Sequence, residues 1–236
     1  MKLVDMLKSE IPEYTTSISS GEIKFRPFLV KEEKNLLLVV EEGEIIDIMR
    51  AIKNLLECCF EGLDTAKISL AESEYLFLKL RERSVGSTLD LIYRPGDGKK
   101  PINVQVDLKT IKCPKRKNKM DKAIVITDKI SVNLKDLSLD DIVREKINVY
   151  DPDKDGIIKI LALMIDKVTM DEEVLSKGDL SIKDKIEFIE SMIEPQFNKI
   201  AEFAQSAPSL SYTHNKDDVE FTLTGLNDFF SLVSLT

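Results

Sequence analysis

The sequence predicts an α+β fold: N-terminal helices packed with an antiparallel β-meander, then a mainly helical C-terminal half that ends in a β-hairpin and a short helix. Two observations favour this class. Alternating runs of β-branched residues between positions 88 and 134 are typical of half-buried antiparallel strands. Apolar residues recur at helical spacing in residues 44–60 and in most of the chain after position 135. We therefore expect an N-terminal α+β domain at 1–135 and a mainly helical domain at 136–236.

A small β-hairpin is predicted near the N terminus. Residues 14–18 and 22–28 are strand-like, and they flank the turn sequence Ser-Ser-Gly at 19–21. Because proline cannot donate a ladder hydrogen bond, Pro27 indicates that the second strand lies at a sheet edge or ends there.

Three helices are predicted to follow this hairpin. Residues 31–42 begin with charged helix formers, and residues 44–60 place their apolar side chains on one helical stripe. Ser69 and Glu72 have the spacing of a capping box, which predicts the start of a third helix. Gly86 is predicted to end it in a left-handed conformation.

The meander is predicted from four strand-like runs, at residues 88–94, 102–111, 123–127 and 130–134. The sequence GDGKK at 96–100 lies between the first two runs. Its glycines and lysines do not have the spacing of a phosphate-binding loop, so we interpret it as a hairpin turn.

The second half of the chain is predicted to be mostly helical. The helical segments are residues 137–147, 156–168, 181–193 and 195–205. A hairpin is predicted from residues 209–214 and 218–225, and a short helix from residues 226–233.

Composition excludes several classes of protein. The formal net charge is −8 and the pI is about 5.0, which argues against wholesale nucleic-acid binding. No apolar run approaches the ~20 residues that span a bilayer. The first residues, MKLVDMLKSEIPEY, have acidic side chains and no long apolar segment, so no signal peptide is expected. We expect synthesis in a reducing, cytosolic compartment.

No catalytic, cofactor or metal site is predicted. The three cysteines are Cys58, Cys59 and Cys113, an odd number with two adjacent members and therefore a poor disulfide framework. The single histidine, His214, is too remote in sequence from these cysteines to suggest a zinc cluster. The sequence contains no HExxH, GxSxG, GxxxxGK[ST] or GxGxxG motif, so we expect a protein that is not an enzyme.

One segment, DPDKDG at 151–156, resembles the start of a calcium-binding loop. Asp151, Asp153, Asp155 and Gly156 occupy the first, third, fifth and sixth positions of such a loop. The twelfth position, which needs a bidentate glutamate, is Ala162. A weak cation site and a plain turn that caps the following helix are the alternatives, and the missing ligand favours the turn.

Three stretches carry a resemblance to a known family. They are FRPFLVKEEKNLL at 25–37, EYLFLKLRERSVGSTLDLIYR at 74–94, and FIESMIEPQFNKIAEF with GLNDFF at 188–203 and 225–230. In order and spacing these stretches resemble the T4-type phage baseplate family, whose named members include the central hub subunit. The likeness covers roughly residues 22–230.

The resemblance implies a component of a contractile-tail baseplate hub, or a protein that helps to build it. It implies binding to other tail and baseplate proteins rather than catalysis, with oligomers within the baseplate and a location in the virion tail. Relatives are expected to carry paired cysteines in the C-terminal hairpin, but this hairpin has none. No structural zinc is therefore expected here.

Two basic segments are candidate partner-binding sites. Arg81, in the sequence LRERSVG, could clamp a partner's carboxylate or could simply close a helix at its negative end. Residues 109–122 carry a net charge of +6, and their most concentrated part comprises Lys115, Arg116, Lys117 and Lys119. This loop could be solvated, could meet an acidic protein, or could bind nucleic acid. The last reading makes a nucleic-acid-binding adaptor the alternative function, although the loop has no aromatic side chains for base stacking.

The C-terminal segment GLNDFFSLVSLT is the third candidate. Leu226, Phe229, Phe230 and Val233 fall on one face of a short helix, which needs a surface to bury that face. The surface could belong to the chain's own C-terminal helices or to a neighbouring baseplate subunit. Both alternatives predict that replacing Phe229 and Phe230 by alanine is harmful.

We predict that DPDKDG is not a calcium switch. Since Ala162 offers no side-chain oxygen, isothermal titration of the protein with calcium should show no binding tighter than roughly millimolar. Micromolar binding would contradict the assignment of this segment as a turn.

Overall fold

The computed structural model describes residue 7 and residues 10–94, 100–116, 122–171, 173–176, 179–216 and 219–232. For Glu42, Lys216, Val219 and residues 229–232 it describes the backbone alone. Helices and antiparallel sheets alternate along the chain, so the predicted α+β class is confirmed. The predicted turn at 96–100 lies almost entirely outside the described residues.

Eight α-helices lie within the described residues. They are α1 (Val30–Glu42), α2 (Ile45–Cys59), α3 (Leu70–Ser84), α4 (Leu139–Glu145), α5 (Lys154–Met164), α6 (Ile182–Glu190), α7 (Glu194–Gln205) and α8 (Gly225–Leu232). The described strands are β1 (Tyr14–Ile18), β2 (Gly21–Phe25), β3 (Thr88–Tyr93), β4 (Ile102–Asp107), β5 (Ala123–Thr127), β6 (Ile130–Leu134), β7 (Ile165–Met170), β8 (Glu173–Leu175), β9 (Ser211–Lys216) and β10 (Val219–Thr224). A single 3₁₀ turn at Leu108–Thr110 follows β4.

All strand pairs are antiparallel, but the predicted meander is divided between two sheets. Strands β3 and β4 form a separate two-stranded hairpin, as do β1 with β2 and β9 with β10. Strands β5 and β6 instead continue into β7 and β8, which complete a four-stranded sheet in the order β5-β6-β7-β8. The alternation of apolar and polar residues predicts each strand. It does not predict which further strand pairs with β6 on the side away from β5.

Contacts group the chain into two compact units. The first comprises residues 1–65, 71–115 and 209–236, and the second comprises residues 66–70 and 116–208. The boundary predicted near 135 lies inside the second of these units. The assignment of domains at 1–135 and 136–236 stays a prediction.

The second unit has its core between the four-stranded sheet and the helices α5, α6 and α7. Buried apolar side chains from every one of these helices and from β5, β6 and β7 form this core: Ile126, Val132, Leu134, Leu161, Ala162, Met164, Ile165, Val168, Ile189, Ile200 and Phe203. Two of the helices begin where the sequence offers a serine cap, since Ser138 and Ser181 accept the backbone N–H groups of the third helical residues of α4 and α6.

The helix predicted at 156–168 is only partly correct, because α5 ends at Met164 and β7 begins at Ile165. The apolar run contains no glycine or proline that would mark the change. Tertiary bonds end the helix instead: the Lys135 N–H donates to the Met164 carbonyl at 2.8 Å, and the buried Lys185 ammonium donates to the Ile165 carbonyl at 2.6 Å. Pairing of Leu134 with Ile165 then fixes the strand.

In the first unit the predicted stripe of α2 faces the core. Met49, Ile52, Leu56 and Cys59 are buried, as the periodicity required. Helix α2 ends against strand β2, where the Arg26 N–H donates to the Cys59 carbonyl at 3.1 Å.

Aromatic side chains join the terminal hairpin to β3 within the same unit. Phe221 stacks on Tyr93 at 4.3 Å between ring centroids, and its ring also stacks on His214 at 5.2 Å. The single histidine is therefore a buried strand residue in an aromatic cluster.

We predict that Ile52→Asp disrupts folding. Ile52 is 1% exposed, and a buried unpaired carboxylate costs several kcal/mol, an amount of the order of the total stability of a domain. The measurement is thermal unfolding followed by circular dichroism, with Asn54→Asp as the control at an exposed position of the same helix. Equal melting temperatures for wild type and Ile52→Asp would contradict the burial of this face.

Candidate functional site

The stretch FRPFLVKEEKNLL is organised around an ion pair between Arg26 and Glu32. The Arg26 guanidinium donates to both carboxylate oxygens of Glu32, at 3.0 and 2.8 Å, and to the Pro27 carbonyl at 2.9 Å. The same carboxylate accepts the Leu29 N–H at 2.7 Å, which satisfies a backbone donor that precedes the first turn of α1. One acidic side chain therefore holds β2, the connecting loop and the start of α1 together.

The end of α2 adds two thiols to this arrangement. Cys58 Sγ lies 3.3 Å from one Glu32 oxygen and 3.2 Å from Arg26 Nη2, and Cys59 Sγ lies 3.8 Å from the other Glu32 oxygen. Burial raises the pKa of Cys59 to about 12, so this thiol stays protonated and acts as a packed donor rather than as a nucleophile.

The carboxylate of Glu32 is held in its ionised form. Burial opposes ionisation, but the hydrogen bonds from Arg26, from the Leu29 N–H and from Cys58, together with the charge of Arg26, lower the pKa of Glu32 to about 2. The hydrogen bond with Glu32 is in turn the main reason that the pKa of Arg26 is raised.

The second motif, LRERSVG, meets the first at a hydrogen bond. The Phe28 N–H donates to Ser84 Oγ at 3.0 Å, and the Ser84 hydroxyl donates to the Leu80 carbonyl at 2.7 Å. We call this place, residues 25–37 with residues 80–86, the motif junction. Two stretches that are separated by more than forty residues in sequence thus form one local structure.

Arg81 serves the end of α3. Its carbonyl accepts the N–H groups of Val85 at 2.9 Å and Gly86 at 3.3 Å, and its guanidinium donates to the Gly86 carbonyl at 3.4 Å. Gly86 has φ +152°, so the predicted positive φ is confirmed. Burial lowers the pKa of Arg81 against the opposing effect of the charges of Glu33 and Asp90. These internal contacts are those of the helix-closing alternative, while binding to a partner stays a prediction.

Two apolar side chains of the motif junction point into solvent. Val30, the first residue of α1, is 82% exposed, and Val85 is 54% exposed. Each lies within two residues of the Phe28–Ser84 hydrogen bond. Arg26, Glu32 and Ser84 of the junction are therefore bound internally, whereas Val30 and Val85 present apolar surface outward.

Arg116, in the basic segment 109–122, is bound within the second unit. The Arg116 guanidinium donates to the Phe203 carbonyl at 2.9 Å, bonds Ser206 and Asp136, and lies 3.9 Å from the centre of the Phe203 ring. Arg116 thus stabilises the second unit from within. Lys115 is exposed, and Lys117 and Lys119 lie outside the described residues.

The C-terminal helix docks on its own chain at its first turn. Leu226 is 1% exposed, and its N–H donates to a carboxylate oxygen of the buried Glu74 at 3.0 Å. The helix contacts β3 and β10 of the same unit. The backbone of Phe229 and Phe230 is helical as predicted, and their side chains are outside the description, so their role in binding stays a prediction.

The acidic turn at 151–156 caps α5, which is the arrangement that the turn interpretation requires. Asp153 Oδ1 accepts the Gly156 N–H at 2.7 Å, one turn into the helix. A cavity of about 620 Å³ in the second unit is lined by this turn and by Lys146, Lys159 and Glu190. Its lining mixes both charges with apolar side chains, so it does not single out one class of ligand.

Within the described residues, no three His, Cys, Asp or Glu side chains are grouped as metal ligands would be. In the same part of the chain, no helix has the length and apolar composition needed to cross a membrane. Sequence reasoning did not find the outward-facing Val30 and Val85, because an apolar residue at a helix end carries no local sign of exposure.

Comparison with known proteins identifies a family. The model of a family described as T4 bacteriophage base plate protein matches residues 11–231, which is most of the chain. Neither the curated proteins nor the solved structures contain a match.

We predict that the charge of Glu32 stabilises the protein in a pH-dependent way. Since its pKa is lowered from 4.5 to about 2, the stabilisation is complete above pH 4.5 and is lost as the pH falls toward 2. At neutral pH it should amount to about 2–3 kcal/mol of the free energy of unfolding. Glu32→Gln removes the charge but keeps an oxygen for the Leu29 N–H.

The measurement is urea unfolding of wild type and Glu32→Gln from neutral pH down to about pH 3. The difference between the two proteins should shrink as the pH falls. Glu22→Gln, at an exposed position of β2, is the control. A difference that stays constant with pH would show that the ion pair does not stabilise the fold.

Proposed function

We propose that this chain, which belongs to the T4 bacteriophage base plate protein family, is a structural or assembly component of the baseplate hub of a contractile-tailed phage. Family membership indicates a structural role in the phage baseplate and interaction with other tail or baseplate proteins. The hub is the finer assignment, and binding without catalysis is its proposed mechanism.

The observation that carries this proposal is that the motif junction combines an internal ion pair with exposed apolar side chains. Arg26 and Glu32 are paired with each other, whereas Val30 and Val85 are exposed beside them. A rigid local structure that presents apolar side chains has the character of a protein-binding surface, since apolar groups form the centre of such interfaces. We infer that a hub protein covers these two valines.

The acidic residues support binding rather than catalysis, because their described contacts are structural. Glu72 accepts the Ser19 N–H at 2.9 Å, and Glu74 accepts the Leu226 N–H. Glu32, with its lowered pKa, is far from the near-neutral value that suits a general acid.

We infer that the protein acts in the host cytoplasm during assembly and in the virion tail if it is retained there. A nucleic-acid-binding adaptor is the alternative. Lys109, Lys112 and Lys115 are exposed and could contact phosphates. A DNA-binding assay over a range of salt concentrations tests it, since micromolar affinity with steep salt dependence would favour the adaptor. Mass spectrometry of purified virions distinguishes a retained component from an assembly factor.

We predict that Val30→Asp with Val85→Asn abolishes co-purification with hub proteins from infected cells. Loss of two buried valines at an interface should cost about 3 kcal/mol or more, which is a hundredfold or greater loss of affinity. Both side chains are exposed in the isolated chain, so its melting temperature should change little.

The control is Val174→Asp, at a valine on β8 in the second unit that is as exposed as Val85. This control variant should co-purify normally. Normal co-purification of the variant at positions 30 and 85 would exclude the motif junction as the binding surface.

A further inference from the structure

Helix α1 presents an outer face that nothing in the described part of the chain covers. Lys34, Leu37, Leu38 and Glu41 are exposed, with Leu37 at 43% and Leu38 at 47%, whereas Leu36 is buried on the opposite side of the helix. At 100° per residue the four exposed positions share one face of the helix. The face is apolar at its centre and charged at both ends.

The charges on this face are placed against the helix dipole. The basic Lys34 lies in the N-terminal half, the acidic Glu41 lies in the last turn, and the last turn has no basic residue. Acidic groups near a C-terminus and basic groups near an N-terminus are unfavourable in an isolated helix. Neither side chain forms an ion pair with any other residue that the structure describes. The arrangement therefore lacks an internal explanation.

A two-fold axis would explain it. Suppose that two copies of α1 lie antiparallel, with the axis between Leu37 and Leu38. A residue a given number of positions before the axis then faces the residue the same number of positions after it in the second copy. Leu37 then faces Leu38 of the second copy, and Lys34 faces Glu41 of the second copy. The face is thus complementary to itself in both apolar contact and charge, which is the requirement for an isologous contact.

We propose that this chain self-associates through α1, as an antiparallel two-fold pair in which two Leu37–Leu38 contacts are flanked by two Lys34–Glu41 ion pairs. The partner is a second copy of this chain rather than another protein. The order basic, apolar, apolar, acidic along this face is complementary to the same order in an antiparallel helix. Val30 lies on the same face one turn before Lys34, and Val85 follows the last residue of α3, so neither is one of the four paired positions.

The contact is small, so the association is expected to be weak. Helix α1 has 13 residues, which gives a length of about 20 Å. A pair of such helices buries less than the ~1,600 Å² of a standard interface. We expect a dissociation constant in the micromolar range or above. The dimer would then form only at a high local concentration, such as that of a growing baseplate.

Sedimentation equilibrium of the isolated protein, from about 1 to 200 µM at low salt, tests the proposal. Wild type should show a concentration-dependent monomer–dimer equilibrium that weakens as salt is added. Lys34→Glu places like charges opposite each other and should weaken the dimer at least tenfold, and Glu41→Lys should do the same. The double variant Lys34→Glu with Glu41→Lys exchanges the charges and should restore the wild-type constant.

These variants separate pairing from folding. Glu41→Lys moves charge in the direction that the helix dipole favours, and Lys34→Glu places an acid in the N-terminal half, so neither should lower the melting temperature. Lys24→Glu, an equal charge change at an exposed position of β2, is the control and should dimerise normally. Leu38→Asp should abolish the dimer by removing the apolar centre.

A monomer at all concentrations overturns the proposal. So does a dimer that both single charge variants leave unchanged, or one that the double variant fails to restore, because either result excludes this register. The measurement uses the isolated chain alone, so a negative result leaves the proposed hub binding to be judged by co-purification.

Discussion

The bidentate pair between Arg26 and Glu32 is the constraint on which the first unit's functional surface depends. Glu32 belongs to the first turn of α1 and Arg26 follows β2 directly, so their bond sets the direction in which the chain enters the helix. The same carboxylate holds the Leu29 N–H and both thiols at the end of α2. An exposed ion pair would contribute little, but this pair is largely shielded from solvent, and removal of one member would leave an uncompensated charge.

The position of α1 decides which of its side chains meet solvent. With Leu36 turned inward, Val30, Leu37 and Leu38 are left outside. This explains how a segment as apolar as LLLVV contributes only part of its surface to the core. The remainder is available to other molecules, and exposed apolar area on a rigid element is what a protein that works by assembly requires. Val30 lies on α1, two turns before Leu37, whereas Val85 follows the last residue of α3.

Arg116 plays a comparable internal role in the second unit. Its guanidinium bonds Asp136, Ser206 and the Phe203 carbonyl while its plane lies over the Phe203 ring. A residue that sequence reasoning grouped with a cluster of lysines thus joins the segment before β5 and the loop after β6 to α7. Arginine can do this where lysine could not, because its planar group offers several donors together with an apolar face. Among the described residues of the basic segment, Lys109, Lys112, Lys115 and Lys122 are exposed.

The sequence by itself determined the features that depend on neighbours along the chain. The stripe of α2, the caps at Ser138, Ser181 and Asp153, and the paired strands of each hairpin follow from periodicity and short-range hydrogen bonds. The motifs FRPF and RSVG were also visible, and with them the region of the candidate site. Only the tertiary structure decided what depends on distant partners. The strand at 165–170 exists because β6 and Lys185 supply hydrogen bonds to an otherwise helix-forming run, and the Phe28–Ser84 bond brings the two motifs together. The exposure of Val30, Val85, Leu37 and Leu38 is likewise a property of what packs around them, which no local pattern encodes.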